Sequence, residues 1–218
     1  MSDQPITEIQ APSLPWYKVW ISTYFSPKEQ TYRNLLQDPK ANTNRAVIWV
    51  GASILIIGLV PLLVYWLSGS RFIHDDLVDS GITSQGEIAI VYMLLGVFGA
   101  AFIGAPIGMS IASSLIHWIA TKMGGEGVAE KFGFLLGAIA APAYLIDSAI
   151  EGIVGNNIIG LSLRFAFPFY QAFLLVIALK AAYNNLSTMK AVGVVMLLAL
   201  VSALIVGCLV GMLMLLRV

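Results

Sequence analysis

Residues 88–121 read IAIVYMLLGVFGAAFIGAPIGMSIASSLIHWIAT, 34 residues without a Lys, Arg, Asp or Glu. How this stretch divides decides how often the chain crosses a bilayer and on which sides its termini lie. About 20 apolar helical residues cross a hydrocarbon core roughly 30 Å thick. As one helix the stretch is about 51 Å long, too much for one upright span and too little for two spans and a turn. It reads as one long helix, bent near Pro106, with its first turns at the edge of the hydrocarbon or outside it.

Four further apolar runs flank it. Residues 46–67 are 22 uncharged residues ending in Tyr65 and Trp66, aromatics suited to a membrane interface. Residues 132–150 carry only Asp147, near one end; residues 165–183 form another run, with a start as far upstream as Asn157; residues 191–216 form the last. The expected fold is all-α: a polytopic five-helix transmembrane bundle over 46–218, short amphipathic helices over 16–45 and a flexible tail over 1–15. Composition agrees. The 218 residues are 58% hydrophobic and 11% charged, with a mean hydropathy of +0.84, whereas soluble domains have roughly 45–50% apolar and about 25% charged residues. That excludes a soluble enzyme, a disordered chain and a disulfide scaffold, the one cysteine being Cys208. Twelve Lys and Arg balance twelve Asp and Glu, so no net field recruits nucleic acid.

Five spans place the termini on opposite sides. With the N-terminus in the cytoplasm, inner segments hold Lys18, Lys28, Arg33, Lys40, Arg45, Lys122, Lys131, Lys180 and Lys190, and outer segments hold Arg71, Arg164 and Arg217. Nine against three sets that orientation. The outer loop 68–87 is acidic, and the first 45 residues are polar, so no secretory signal peptide is expected.

Before the first span, Trp16, Trp20 and Tyr24 recur every four residues beside Val19 and Phe25, an aromatic stripe on one helical face. Two readings stand: an interfacial anchor among the lipid headgroups, or packing against the cytoplasmic ends of the spans. Ser26-Pro27-Lys28-Glu29 reads as a capping box opening a short helix to about Gln37, which stops before Asp38-Pro39. Asn42 or Thr43 then caps the first span.

The order of these features, with Trp16-Tyr17-Lys18-Val19-Trp20, Ser26-Pro27, Asp38-Pro39, the run from His117 through Gly124-Gly125-Glu126-Gly127, and Ala140-Ala141-Pro142 in the third span, resembles the Yip domain family. These are the Ypt/Rab-interacting membrane proteins of the eukaryotic Golgi and their prokaryotic relatives. The resemblance covers roughly residues 16–215 and implies five spans and a cytoplasmic N-terminus. The chain lacks the Asp-Leu-x-Gly-Pro stretch of the eukaryotic type, so Rab binding is not carried over. The resemblance is to the prokaryotic type, in a prokaryotic cytoplasmic membrane.

Small residues recur every four positions in three spans: Gly96, Ala100, Gly104, Gly108 and Ala112; Gly133, Gly137 and Ala141; and Ala199, Ala203, Gly207 and Gly211. In lipid, close backbone approach drives helix association. These ladders either hold the bundle together internally or leave one, that of the fifth span, for another chain. Asp147 and Glu151 leave the third span on the side where Arg164 enters the fourth, which predicts an ion pair of Arg164 with one of them. His117 reads as a hydrogen-bonded structural histidine, with His74 on the opposite side of the membrane. Gly124-Gly125-Glu126-Gly127 lacks the Lys-Ser/Thr of a phosphate loop and reads as a sharp turn. Ser110 lies two helical turns from His117, roughly 10 Å, too far for a nucleophile and its base. No catalytic group, cofactor or metal site is expected. The sequence points to a non-enzymatic scaffold or accessory subunit whose partners are lipids and other membrane subunits, or itself. The alternative is a small transporter or channel, with Gln171 as its mid-membrane polar group.

Overall fold

A computed structural model describes residues 13–68, 86–154 and 157–216. Most of the N-terminal tail, the outer loop with Arg71 and His74, and Arg217 lie outside the described residues. Two short helices, α1 (Trp16–Phe25) and α2 (Glu29–Leu35), precede the long α3 (Thr43–Ser68). Then come α4 (Gly86–Gly99), a π-helical segment (Ala100–Gly104), α5 (Ala105–Lys122), and β1 (Glu126–Gly127). After these follow α6 (Ala129–Ala149), a second π segment (Ile150–Val154), α7 (Ile158–Ala182), β2 (Tyr183–Asn184) and α8 (Thr188–Leu216).

The chain is an all-α helical bundle. Four of its described helical stretches, Thr43–Leu63, Val91–Lys122, Ala129–Val154 and Ile158–Ala182, are long and apolar enough to cross a membrane, and α8 is apolar over Thr188–Leu204. The stretch from Gly86 to Lys122 is helical throughout. Pro106 has no N–H for the carbonyl of Phe102, and the chain widens there into a π turn, in which the Ala105 N–H reaches back five residues to Ala100 O. The disturbance thus lies just before the proline. The helix that carries the fourth apolar run, α7, takes the upstream start. It begins at Ile158, because Asn157 caps it by accepting from Gly160 N–H at 2.9 Å.

α6 is the axis of the bundle, with half of its apolar window buried against 17–28% for the other three stretches. Its tightest neighbour is α3: a Cβ at Gly133 would run into Thr43 Oγ1, and one at Gly137 into Ala46 Cβ. The largest fully buried side chains, Tyr32, Phe132, Phe134, Ile116, Leu174 and Tyr183, gather toward the lysine-rich end. Along the rest of the helices Ile48, Ile56, Phe102, Ile111 and Phe169 stand exposed. Apolar surface of this extent is tolerated where the surroundings are hydrocarbon.

Candidate functional site

The polar chemistry of the described chain concentrates at the lysine-rich end, where α1, α2 and two inter-span turns cap the bundle. The capping box foreseen at Ser26 does not form. α2 begins at Glu29 without a side-chain cap, and Glu29 is spent elsewhere, 2.9 Å from Arg33 and 3.0 Å from Lys180 at the end of α7. Arg33 donates on to Lys180 O and to Asn184 Oδ1, each at 3.2 Å. The Lys180 ammonium, with Arg33 adding to it, holds the Glu29 carboxyl below its ordinary pKa. α2 is thereby clamped to α7.

A second clamp joins α1 to α3. The Asp38 side chain is fully buried; its Oδ2 lies 2.8 Å from Arg45 Nη1 and accepts from Leu14 N–H at 2.9 Å, while Oδ1 accepts from Lys40 N–H at 2.9 Å. Arg45 also donates to Leu14 O, and its guanidinium lies 4.8 Å over the Trp49 ring. Burial pushes the Asp38 carboxyl up, but the bonds from Lys40, Arg45 and Leu14 outweigh it and leave the pKa below its ordinary value. Asn42 caps α3 by accepting from Arg45 N–H at 2.9 Å, and Thr43 donates to Glu130 O at 3.1 Å.

Between these clamps sit three tyrosines. Tyr24 OH donates to Ile139 O at 2.9 Å, Tyr170 OH donates to Tyr24 O, and Tyr32 OH donates to Thr23 O at 3.2 Å. Ile139 lies next to Ala138, whose carbonyl loses its helical donor because Pro142 has no N–H, so the backbone ladder is already open at this level. Of the aromatic stripe, Tyr24 is buried, Trp20 is half-buried with its ring 6.2 Å from that of Trp49, and Trp16 is exposed. The stripe therefore packs inward from Trp20 on. Besides Trp16, the exposed apolar residues of α1 are Tyr17, Ile21 and Phe25.

The glycine-rich turn joins the cap through a two-stranded ladder, Glu126 opposite Asn184 and Gly127 opposite Tyr183. Gly124 has φ +89°, which favours glycine, and a Cβ at Gly127 would strike Ala182 O. His117 Nδ1 lies 3.0 Å from Tyr183 OH, which fits a structural histidine. Among the described residues no three of His, Cys, Asp and Glu come together as metal ligands. The short Glu29 and Asp38 contacts were not foreseen from the sequence, where Asp38-Pro39 reads only as a helix stop. The paired signal was the excess of cations over acids at this end.

The remaining predicted residues separate. Arg164 Nη2 lies 3.3 Å from Glu151 Oε1 at the opposite end of the bundle, and Asp147 is exposed one turn before Glu151. Gly133 and Gly137 are consumed inside, against α3. Gly96, Gly108 and Gly207 have nothing within 4 Å, and Gly104 meets only atoms of its own helical stretch, at 3.8 Å or more. Gly211 lies in α8, outside the residues whose surroundings are described. A Cβ at these second-span glycines would thus meet no other span within 4 Å, so the ladder is open where that of the third span is closely packed. Its members Ala100, Gly104, Gly108 and Ala112 line one wall of a cleft of about 390 Å3, closed opposite by Val50, Ile54, Leu136, Ala140 and Tyr144.

The chain matches no curated protein and no solved structure. The Yip1 domain family model, in contrast, matches residues 21–210. That range takes in the second half of α1, all of α2, both inter-span turns of the cap and the apolar helices up to the last turns of α8. Through that match and its apolar helices, the chain belongs to the Yip1 domain family of integral membrane proteins.

Proposed function

We propose that the chain is a non-enzymatic membrane scaffold or accessory subunit that holds other membrane helices against its outward small-residue face. The observation that carries this reading is the ladder of the second span: its glycines open onto a cleft with room for further side chains, whereas those of the third span are pressed against α3. In lipid such a face packs a partner helix at close backbone distance, with dispersion and backbone contacts in place of a hydrophobic driving force. The polar groups of the cap support the same reading, because Glu29, Asp38, Arg33 and Arg45 are engaged with one another and with backbone. The nine cations at the capped end support a cytoplasmic N-terminus and, with five crossings, a C-terminus on the outer side; the resemblance to the prokaryotic type favours a prokaryotic cytoplasmic membrane.

The test is a tagged pull-down of the full chain from native membranes in mild detergent, beside Gly104→Leu with Gly108→Leu. A stoichiometric membrane partner, or a second copy, that is lost in the double variant while its melting temperature holds is the expected result. A monomer in both preparations, together with specific solute flux in proteoliposomes that Gln171→Leu abolishes, would replace the scaffold with a transporter.

A further inference from the structure

Hydrogen bonds fix how deep α1 sits along the bundle. Tyr24 OH reaches the carbonyl of Ile139, ten residues beyond the start of α6, which is about 15 Å along the helix axis. The Tyr24 carbonyl in turn accepts from Tyr170, twelve residues before the end of α7. The C-terminal end of α1 therefore lies inside the ends of the spans, while its N-terminal side is tied at Leu14 to Asp38 and Arg45, where α3 begins. α1 thus runs obliquely along the bundle, from the helix ends at Leu14 inward to Tyr24. Phe25, next to Tyr24 and 82% exposed, looks outward at that depth, with Ile21 and Tyr17 one and two turns behind it on the same side.

Charge brackets this apolar stripe. Lys18 lies within it in sequence, and Lys28 comes three residues after the end of α1; both are exposed. They belong to a wider asymmetry: among the described residues of the capped end, Lys18, Lys28, Lys40, Lys122, Lys131 and Lys190 are exposed, against the exposed acids Glu126 and Glu130. The other two acids there, Glu29 and Asp38, are already matched by Arg33, Lys180 and Arg45.

We propose that the outward face of α1 is a docking surface for anionic phospholipids, Tyr17, Ile21 and Phe25 entering the acyl region of one leaflet while Lys18 and Lys28 hold headgroup phosphates. An apolar helical face at leaflet depth takes acyl chains. Lysine ammonium groups on long apolar stems reach up to the phosphates, and excess positive charge selects anionic over zwitterionic lipid. The proposal rests only on the chain being embedded in a bilayer, and it holds whether or not the small-residue face binds a partner helix.

The test uses the full chain in nanodiscs of equal parts phosphatidylcholine and phosphatidylglycerol, with retained lipids weighed by native mass spectrometry. Wild type is expected to retain phosphatidylglycerol over phosphatidylcholine. Lys18→Gln with Lys28→Gln is expected to lower that preference by roughly fivefold per lysine, and Lys18→Arg with Lys28→Arg to keep it. Ile21→Gln with Phe25→Gln is expected to lower the retention of both lipids. Equal retention of the two headgroups by wild type, or an unchanged preference in the Lys→Gln pair, overturns the proposal and leaves these lysines to an acidic peptide partner.

Discussion

Gly137→Ala and Gly108→Ala add the same methyl group to two small-residue ladders, and the structure assigns them opposite outcomes. At Gly137 the new carbon would collide with Ala46 Cβ and come within 2.9 Å of Ala46 Cα and 3.1 Å of Ala46 O. Comfortable carbon contacts are about 3.5–4.0 Å. Relief cannot come from a side chain turning aside, since two of these three atoms are backbone, so α3 and α6 must part by roughly 1 Å. Parting them also loosens Trp49 against Phe134, whose centroids are 5.5 Å apart. Overpacking of this kind costs about 1–3 kcal/mol, and the rigid neighbour puts Gly137→Ala toward the upper figure. Replacing helical glycine by alanine returns up to about 1 kcal/mol, for a net loss of roughly 1–2 kcal/mol. At Gly108 nothing lies within 4 Å, so only the propensity gain remains. The two variants should differ by about 2–3 kcal/mol, or roughly 4–12 °C in melting temperature for a chain of this size. Thermal unfolding in one detergent, followed by size exclusion with tryptophan fluorescence, measures the difference. Equal melting temperatures, or a lower one for Gly108→Ala, would refute the assignment of the third-span ladder to the inside and the second-span ladder to the outside.

Three other outcomes are expected in the same assay. Arg45→Gln leaves the buried Asp38 carboxylate short of its cation and should cost about 2–4 kcal/mol; a loss under half of the lower figure would mean that the Leu14 and Lys40 amides suffice. Because the folded Asp38 and Glu29 pKa values are depressed, their contribution is present above the ordinary carboxylate range near about 4 and is lost as pH falls through the lower folded values. The acid limb of the melting profile should therefore flatten in Asp38→Asn, and a profile parallel to wild type would contradict this. Glu151→Gln should cost less than about 1 kcal/mol, because its carboxylate is 73% exposed opposite Arg164, while Tyr24→Phe should cost about 1 kcal/mol by removing the bond to Ile139 O. A ranking with Glu151→Gln the more damaging of the two would place the stabilising polar contacts at the wrong end of the bundle.

The helices were legible because length and apolarity are properties of a segment, and the segment from Gly86 to Lys122 behaves as its charge-free run demands. Which face of a helix turns inward was not, and the reason is the solvent. In water a hydrophobic stripe marks the buried side of a helix; in lipid both sides are apolar, so Gly137, against Ala46, and Gly108, against nothing, present the same pattern in sequence. The period of four in α1 marks a face as well, yet aromatic residues occupy both sides, and only the acceptor at Ile139 O and the ring of Trp49 decide that Tyr24 and Trp20 turn in while Tyr17 and Phe25 turn out. Polar contacts were hidden for a different reason. Asp38 and Arg45 are seven residues apart across a helix start, and Glu29 and Lys180 are 151 apart. Neither distance has a local signature, but both pairs sit where charge excess and span ends coincide. The informative quantity in such a chain is therefore the balance of charge at each end of the bundle. Once the ion pairs at the capped end are formed, what remains unmatched there is positive, and that remainder is what the membrane or a partner meets first.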